Sequence, residues 1–245
     1  MDSGYYAAMT GLMARTQALD TAASNLANAQ TPGYRAEREY FRSALLGPDA
    51  LDSQLGRTVN NFGLLGGDRL SMTQGALAET GNPLDLAIEG AGFFEIQTPN
   101  GPRYTRDGSF HRSTGGLLVT ADGSPVLSAS GRTITVPPGA PSVGANGALS
   151  VAGGLVATIG IFTFPKGTEL TPEGANRYVA PAGVVSKQTT EASIHAGAIE
   201  QSNQDVIQGS LDMIMMQRQA EMMQRALTVF HTEFNKTAAE DLPKV

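Results

Sequence analysis

Between residues 203 and 239 the chain has no proline and a single glycine, and its apolar residues recur at heptad spacing. Val206, Met213, Met216, Ala220, Met223, Leu227, Phe230 and Phe234 fall on one helical stripe, interrupted at Gly209. A helix of that length would span roughly 50 Å at 1.5 Å per residue. Alone it is marginal, so its stability has to come from packing against another element. The opposite end of the chain supplies a candidate partner. Tyr5, Met9, Leu12, Leu19, Ala23 and Leu26 share the same alternating spacing, with Thr16 as the polar exception. This first helix is expected to stop near Gln30–Gly33, where Pro32 restricts Thr31 and Gly33 frees the backbone. A short helical stretch is expected over 36–46, and Ser202 followed by Asp205 reads as the cap of the C-terminal helix. Periodicity leaves two arrangements open: both helices on the middle of a monomer, or helices packed with each other and with neighbours.

Between the helices the signals are those of β-structure. Leu84 to Glu89 alternates apolar and polar residues, and Phe94 and Ile96 continue beyond Gly90-Ala91-Gly92. Asn100-Gly101, Asp107-Gly108, Asp122-Gly123 and Asn146-Gly147 are tight-turn signatures. Between them lie strand candidates at 103–105, 109–112, 117–120, 133–136 and 155–164. The expected fold is therefore α+β: long terminal helices around a central β-rich sandwich or irregular barrel. Its expected parts are an N-terminal helical segment (1–46), an extended connector (47–80), a β-rich domain (81–195) and a C-terminal helical segment (196–245) that pairs with the first.

Composition narrows the chemistry. With 17 basic and 23 acidic residues and no basic block, the electrostatic footprint of a nucleic-acid binder is missing. The absence of cysteine excludes disulfides and thiolate chemistry. Asp2 and the lack of a basic leader at the N-terminus suggest residence in the cytosol or exit by a route without a cleaved signal. His111, His195 and His231 have no metal-ligand spacing, and no serine nucleophile motif occurs. Asp85, Glu89, Glu95, Asp107 and Asp122 are the acidic candidates for glycan chemistry, but turns and solvent-facing strand positions account for the four other than Glu95. Arg106 beside Asp107 reads as an exposed pair that shapes a hairpin. Gly90-Ala91-Gly92 reads as a turn that brings strands close rather than a phosphate loop. No catalytic residue, cofactor or metal site is expected.

Three runs in the chain carry a resemblance. Ala23-Ser24-Asn25-Leu26-Ala27-Asn28-Ala29-Gln30-Thr31-Pro32-Gly33-Tyr34 resembles the "NNxANxxTxGF/Y" signature of bacterial flagellar rod and hook proteins. Leu84-Asp85-Leu86-Ala87-Ile88-Glu89-Gly90-Ala91-Gly92-Phe93-Phe94 is similar to the family's "LDxAIxGxGFF" segment, and Tyr104-Thr105-Arg106-Asp107-Gly108-Ser109-Phe110 follows as it does there. Gly197-Ala198-Ile199-Glu200-Gln201-Ser202-Asn203 resembles "GxLExSN", and Met213-Ile214-Met215-Met216-Gln217-Arg218 its "MIxxQR" continuation. Gln204 departs from the β-branched residue usual in the family.

The resemblance implies a structural axial subunit of the flagellar basal body. It would be exported by the flagellar type III apparatus and assembled through its terminal helices with copies of itself and other rod and hook proteins. Neither nucleic acid nor a small-molecule substrate is implied. The terminal helices would form an inner coiled-coil layer with the β body outside, in a rod that crosses the periplasm and transmits torque. The variant resembles proximal rod members most, with distal rod members as the alternative. Asn25 and Asn28, one turn apart, could bond across a helix interface, or Asn28 could simply end the helix. Thr31-Pro32-Gly33 would turn the chain outward, Gly90 and Gly92 would permit close backbone approach, and Ser202 and Asn203 would cap the last helix. Two readings from other classes are a peptidoglycan-remodelling hydrolase built on the β-body carboxylates, and a peptide-binding module using the Met-rich helix.

Overall fold

The computed structural model describes residues 2–42 and 64–240. Two compact units divide the chain: one of Met1–Ala27, Glu37–Arg69 and Asp205–Val245, the other of Asn28–Ala36 and Leu70–Gln204.

The first unit is built on helices α1 (Asp2–Ala27) and α2 (Val206–Glu240), which pack against each other. The buried stripe of α1 is Gly11, Ala14, Ala18, Ala22 and Asn25. It runs to one side of the expected stripe: Leu12, Leu19 and Leu26 are half-buried at its flank, and Met9 is 42% exposed. Small side chains let two helix backbones approach closely, so they occupy the seam while the leucines close its edge. On α2, Met213, Met216, Met223 and Leu227 are half-buried around the buried Ala220. Gly209 is also buried, so it continues the stripe it was expected to interrupt. Tyr5, Phe230 and Phe234 belong to these helices, but their side chains lie outside the described residues.

The cap of α2 is Asp205, whose Oδ1 accepts from the Gln208 amide at 2.8 Å. Ser202 instead accepts from the Gln204 amide at 3.2 Å in a local turn. Where a short helix was expected over 36–46, Glu37–Arg42 is a strand paired with Leu64–Leu70. The Asn25 side chain explains the difference. Its Nδ2 donates to the Glu37 carbonyl at 2.7 Å and its Oδ1 accepts from the Glu37 amide at 2.9 Å. Both backbone groups of Glu37 are thereby engaged outside any helix. The Arg69 guanidinium stacks 4.5 Å from the centre of the Tyr40 ring on the paired strand. Of the expected connector, 47–63 lies outside the described residues, as does 43–46 of the expected short helix, and Leu64–Leu70 and Leu77–Glu79 are strands.

The second unit is mostly β. A four-stranded antiparallel sheet runs Thr171–Gly174, Arg177–Val179, Gly101–Thr105, Phe94–Thr98, and a three-stranded one runs Gly154–Thr158, Ala148–Val151, Pro141–Val143. Two-stranded pairs complete it: Leu86–Glu89 with Ser193–Ala196, Leu77–Glu79 with Ala198–Glu200, His111–Arg112 with Leu118–Val119, and Phe162–Thr163 with Lys187–Gln188. The main core gathers Leu86, Ile88, Phe94, Ile96, Phe110 and Leu149 among others, with the Phe94 and Phe110 rings edge-on at 5.1 Å. A smaller cluster joins Phe93, Tyr104, Phe162, Leu170 and Tyr178. The single strand expected over 155–164 is split around Gly160, where a Cβ would stand 2.6 Å from the Phe162 ring. There the chain exchanges one strand partner for another.

A candidate assembly site: the buried Arg35–Glu200–Arg106 cluster

Glu200 ends the strand Ala198–Glu200, opposite Leu77, and its side chain is 1% exposed. A carboxylate so far from water needs partners for its charge and lone pairs. Oε1 accepts from Arg35 Nη2 and from the Gly75 amide, both at 2.9 Å. Oε2 accepts from Arg106 Nη1, also at 2.9 Å. The Glu200 carbonyl accepts from the Gly33 amide at 2.7 Å. One residue thus gathers segments from the N-terminal, middle and C-terminal parts of the sequence.

Each arginine is also tied to backbone. Arg106 Nη1 donates to the Ile88 carbonyl at 3.2 Å and Nη2 to the Gly90 carbonyl at 2.5 Å. Its guanidinium carbon lies 5.5 Å from the Phe93 ring centre, within cation–π range. Arg35 Nη1 donates to the Thr73 carbonyl, and the Arg35 amide donates to the Tyr178 hydroxyl at 3.1 Å. Among the described residues, Nε of neither arginine has a hydrogen-bond partner. Burial pushes the Arg106 guanidinium down to about 10, with Glu200 opposing the shift and Arg35 adding to it. Burial likewise lowers Arg35, and Glu200 partly restores it. Two cations share one anion, an arrangement that is costly to bury.

Neighbouring polar side chains reinforce this junction. Gln74 Nε2 donates to the Ile88 carbonyl at 2.8 Å, and its Oε1 accepts from the Gly90 amide at 3.1 Å. Asn203 Oδ1 accepts from the Ala36 amide at 2.7 Å, and its Nδ2 donates to the Ser71 and Thr73 carbonyls, each at 2.9 Å. Asn176 Nδ2 donates to the Pro32 carbonyl at 2.8 Å. Gly33 has φ +67°, and a Cβ there would stand 2.2 Å from the Asp107 amide nitrogen. Only glycine meets both demands at once.

The expected motif residues divide between this junction and its supports. Pro32, Gly33, Gly90, Arg106, Glu200 and Asn203 converge on it, and the Tyr34 carbonyl accepts from the Asn203 amide at 3.3 Å. Phe93 lies beneath Arg106 and meets the Tyr178 ring at 5.7 Å. Gly92 and Gly108 serve close packing, with a Cβ reaching 2.3 Å from Ile161 Cγ2 and 1.6 Å from the Leu86 carbonyl oxygen. Asp85 is apart from the junction and ties the 80–85 turn through Thr80 and Asn82 at 2.6 and 2.8 Å. Tyr104 donates to Glu95 at 3.2 Å, and its hydroxyl oxygen accepts from Ser186 at 3.0 Å. Thr31 Oγ1 donates to Asn28 Oδ1 at 3.2 Å where α1 has ended. Arg218 is exposed on α2.

Two readings change. Arg106 is not half of an exposed pair with Asp107: it is 3% exposed and bound to Glu200. Asn203 does not cap α2 but clasps the backbone at Ala36, Ser71 and Thr73. Arg35, Gln74 and Asn176 escaped sequence reasoning altogether. Only the position of Arg35 directly after Thr-Pro-Gly-Tyr hinted at its part.

The arrangement holds chain segments together. Both Glu200 oxygens are occupied by cations and an amide. Two of the acidic residues considered for glycan chemistry are likewise engaged. Asp107 accepts from the Ser109 amide at 3.0 Å, and Asp122 binds Ser124 and Arg177 at 2.9 Å. Burial alone would raise the Asp122 carboxyl, but hydrogen bonds from Thr120 and Ser124 and the Arg177 charge hold it below the usual range. Both line a cleft of about 210 Å³ with Thr105 and Asn176, where they shape turns.

Comparison with known proteins agrees with this picture. Residues 6–35 match the family described as "Flagella basal body rod protein", and residues 87–151 match "Flagellar hook protein FlgE/F/G D1 domain". The chain is 36% identical over 222 residues to the flagellar basal-body rod protein FlgF of Mesorhizobium japonicum, covering 89% of each chain. It is 34% identical to FlgF of Caulobacter vibrioides over 248 residues and the whole of both chains. Against the rod protein FlgG of Bacillus subtilis it is 32% identical over 236 residues, covering 87% of this chain and 89% of that one.

Proposed function

Because this chain belongs to the flagellar basal-body rod protein family, we propose that it is a proximal-type rod subunit that assembles through its terminal helices. At the coarser level it is a structural, non-enzymatic component of the flagellar basal body, and it assembles with other rod and hook proteins. Full-length similarity to FlgF supports the proximal assignment. A hydrolase reading has no support in the family or in the carboxylates of the β unit.

The observation that carries assembly through the helices is a second apolar stripe on α2. Ile207, Leu211, Ile214, Met215, Met222 and Val229 are 46–74% exposed. At 3.6 residues per turn they lie roughly opposite the stripe that includes Gly209, Met216 and Ala220. A helix with two apolar faces suits a layer in which each helix has neighbours on both sides. In this reading, copies of the chain and other rod proteins cover the second face as a coiled-coil layer. The rod then transmits torque, and the subunit reaches it through the flagellar type III export apparatus.

The test is a doubly charged face. Leu211→Glu with Met222→Glu leaves the β unit folded, as judged by its hydrogen exchange, but the variant is absent from purified basal bodies and the cells do not swim. Normal incorporation of this variant would reject assembly through that face.

A further inference from the structure

Helix α1 carries an exposed stripe of its own. Met9, Met13, Thr16, Asp20, Ala23 and Ala27 follow one another at intervals of four and three residues, and all are exposed. Each lies two residues, about 200° of helical rotation, from a member of the buried seam of Gly11, Ala14, Ala18, Ala22 and Asn25. The stripe therefore points away from α2. The second face of α2 stands in the same relation to its own seam: Ile207 and Leu211 flank the buried Gly209, and Met222 lies two residues beyond the buried Ala220. The paired helices thus present two unlike faces on opposite sides. A face that covered its own copy would close into a pair, whereas one that covers an unlike face joins subunits head to tail and repeats without closing.

Charge matches the two faces. Arg218 interrupts the apolar face of α2 four residues after Ile214, and Arg225 does so three residues after Met222; both are exposed. Asp20 is the one charged residue exposed on α1 between Met9 and Ala27. Among the described residues, none of these three has an ion pair within the chain. Glu221, between the two arginines, accepts from Gln217 at 3.4 Å. Size matches as well. With the stripes antiparallel and Asp20 against Arg218, the spacings set Ala23 opposite Ile214 and Ala27 opposite Leu211, so small side chains meet large ones.

We propose that the second face of α2 is covered by the exposed stripe of α1 from a second copy of this chain, antiparallel to it, with Asp20 seated on Arg218. This rests on the reading that the face is used in assembly, and it names the occupant. The apolar residues supply the buried area, and the ion pair sets the register and selects the partner.

The chain has no cysteine, so introduced thiols report contacts between copies. Two differently tagged chains, one with Ala23→Cys and one with Ile214→Cys, are expressed together, and isolated basal bodies are oxidised. A disulfide-linked product holding both tags is expected. Per incorporated subunit, it should fall at least about tenfold when the first chain also carries Asp20→Arg, and return when the second then carries Arg218→Asp. Incorporation of both chains without the mixed disulfide would overturn the proposal, as would a disulfide indifferent to Asp20→Arg. Swimming reads the same pair without thiols: Asp20→Arg and Arg218→Asp should each impair it, and the double reversal should restore it. Failure of the double reversal to restore swimming would also overturn the proposal. The use of the face itself is read separately by Leu211→Glu with Met222→Glu, so loss of the occupant and loss of the face are told apart.

Discussion

Arg106 holds the carboxylate of Glu200 at 2.9 Å, with their side chains only 4% and 1% exposed. The pair brings the residue after the middle motif's Tyr-Thr onto the strand that leads to the C-terminal helix. Removing one member of such a pair leaves a charge without its partner, which costs about 3–5 kcal/mol.

Glu200→Ala strands two guanidiniums and is expected to destabilise the β unit by about that amount. Glu200→Gln keeps two polar atoms in place and is expected to lose less. Guanidinium titration followed by tyrosine fluorescence reads both, since the chain has six tyrosines and no tryptophan. Equal and small losses in the two variants would mean that the ion pairs do not hold the junction.

Capping assigns different roles to two neighbouring residues. Asp205→Ala is expected to cost roughly 1 kcal/mol and to fray the first turn of α2, because the Gln208 amide loses its acceptor. Ser202→Ala is expected to change helicity little. Circular dichroism during thermal unfolding distinguishes them, and the reverse order would place the cap at Ser202.

Asn25→Ala is expected to expose the start of the 37–42 strand, with faster hydrogen exchange there and a loss of about 1–3 kcal/mol. Asn25→Asp retains the acceptor for the Glu37 amide but cannot donate to its carbonyl, so it should fall between Ala and the parent. Unchanged exchange in Asn25→Ala would show that the strand is fixed by its pairing alone.

Glu95 carries a pH dependence of known sign. Burial raises its carboxyl above the ordinary range, against a lowering hydrogen bond from Tyr104. A group raised on folding contributes its stability below the unfolded pKa, about 4.3, and loses it as pH rises through the folded value. At pH 7 the ionised Glu95 is therefore a penalty. Glu95→Gln is expected to melt above the parent at pH 7 and to lose that advantage at pH 4. An advantage that grew toward pH 4 would contradict the assignment.

Much of this architecture is legible in the sequence, for identifiable reasons. Proline-free heptads located both helices, and Asn100-Gly101 marked its hairpin because turn chemistry is local. The seam of α1 was harder to place, because apolar periodicity gives weight to Leu12 and Leu19 while close packing selects Ala14 and Ala18. Glu37–Arg42 reads as helix until Asn25 is known to take both of its leading backbone groups, a tertiary contact that local propensity does not carry. The motifs were visible one by one, but their meeting at Glu200 was not. Ion-pair partners far apart in sequence leave no period, and Arg106 beside Asp107 looks like any surface pair.

The proposed mode of assembly requires α2 to offer its second face to neighbouring subunits, and site-specific photo-crosslinking in intact basal bodies addresses that directly. A crosslinker at Met222, 61% exposed on that face, is expected to join this chain to rod subunits once the flagellum is assembled, and to give no such product in cells that cannot build a rod. Crosslinks from Val185, 80% exposed on the β unit, with none from Met222 in the assembled structure, would contradict it.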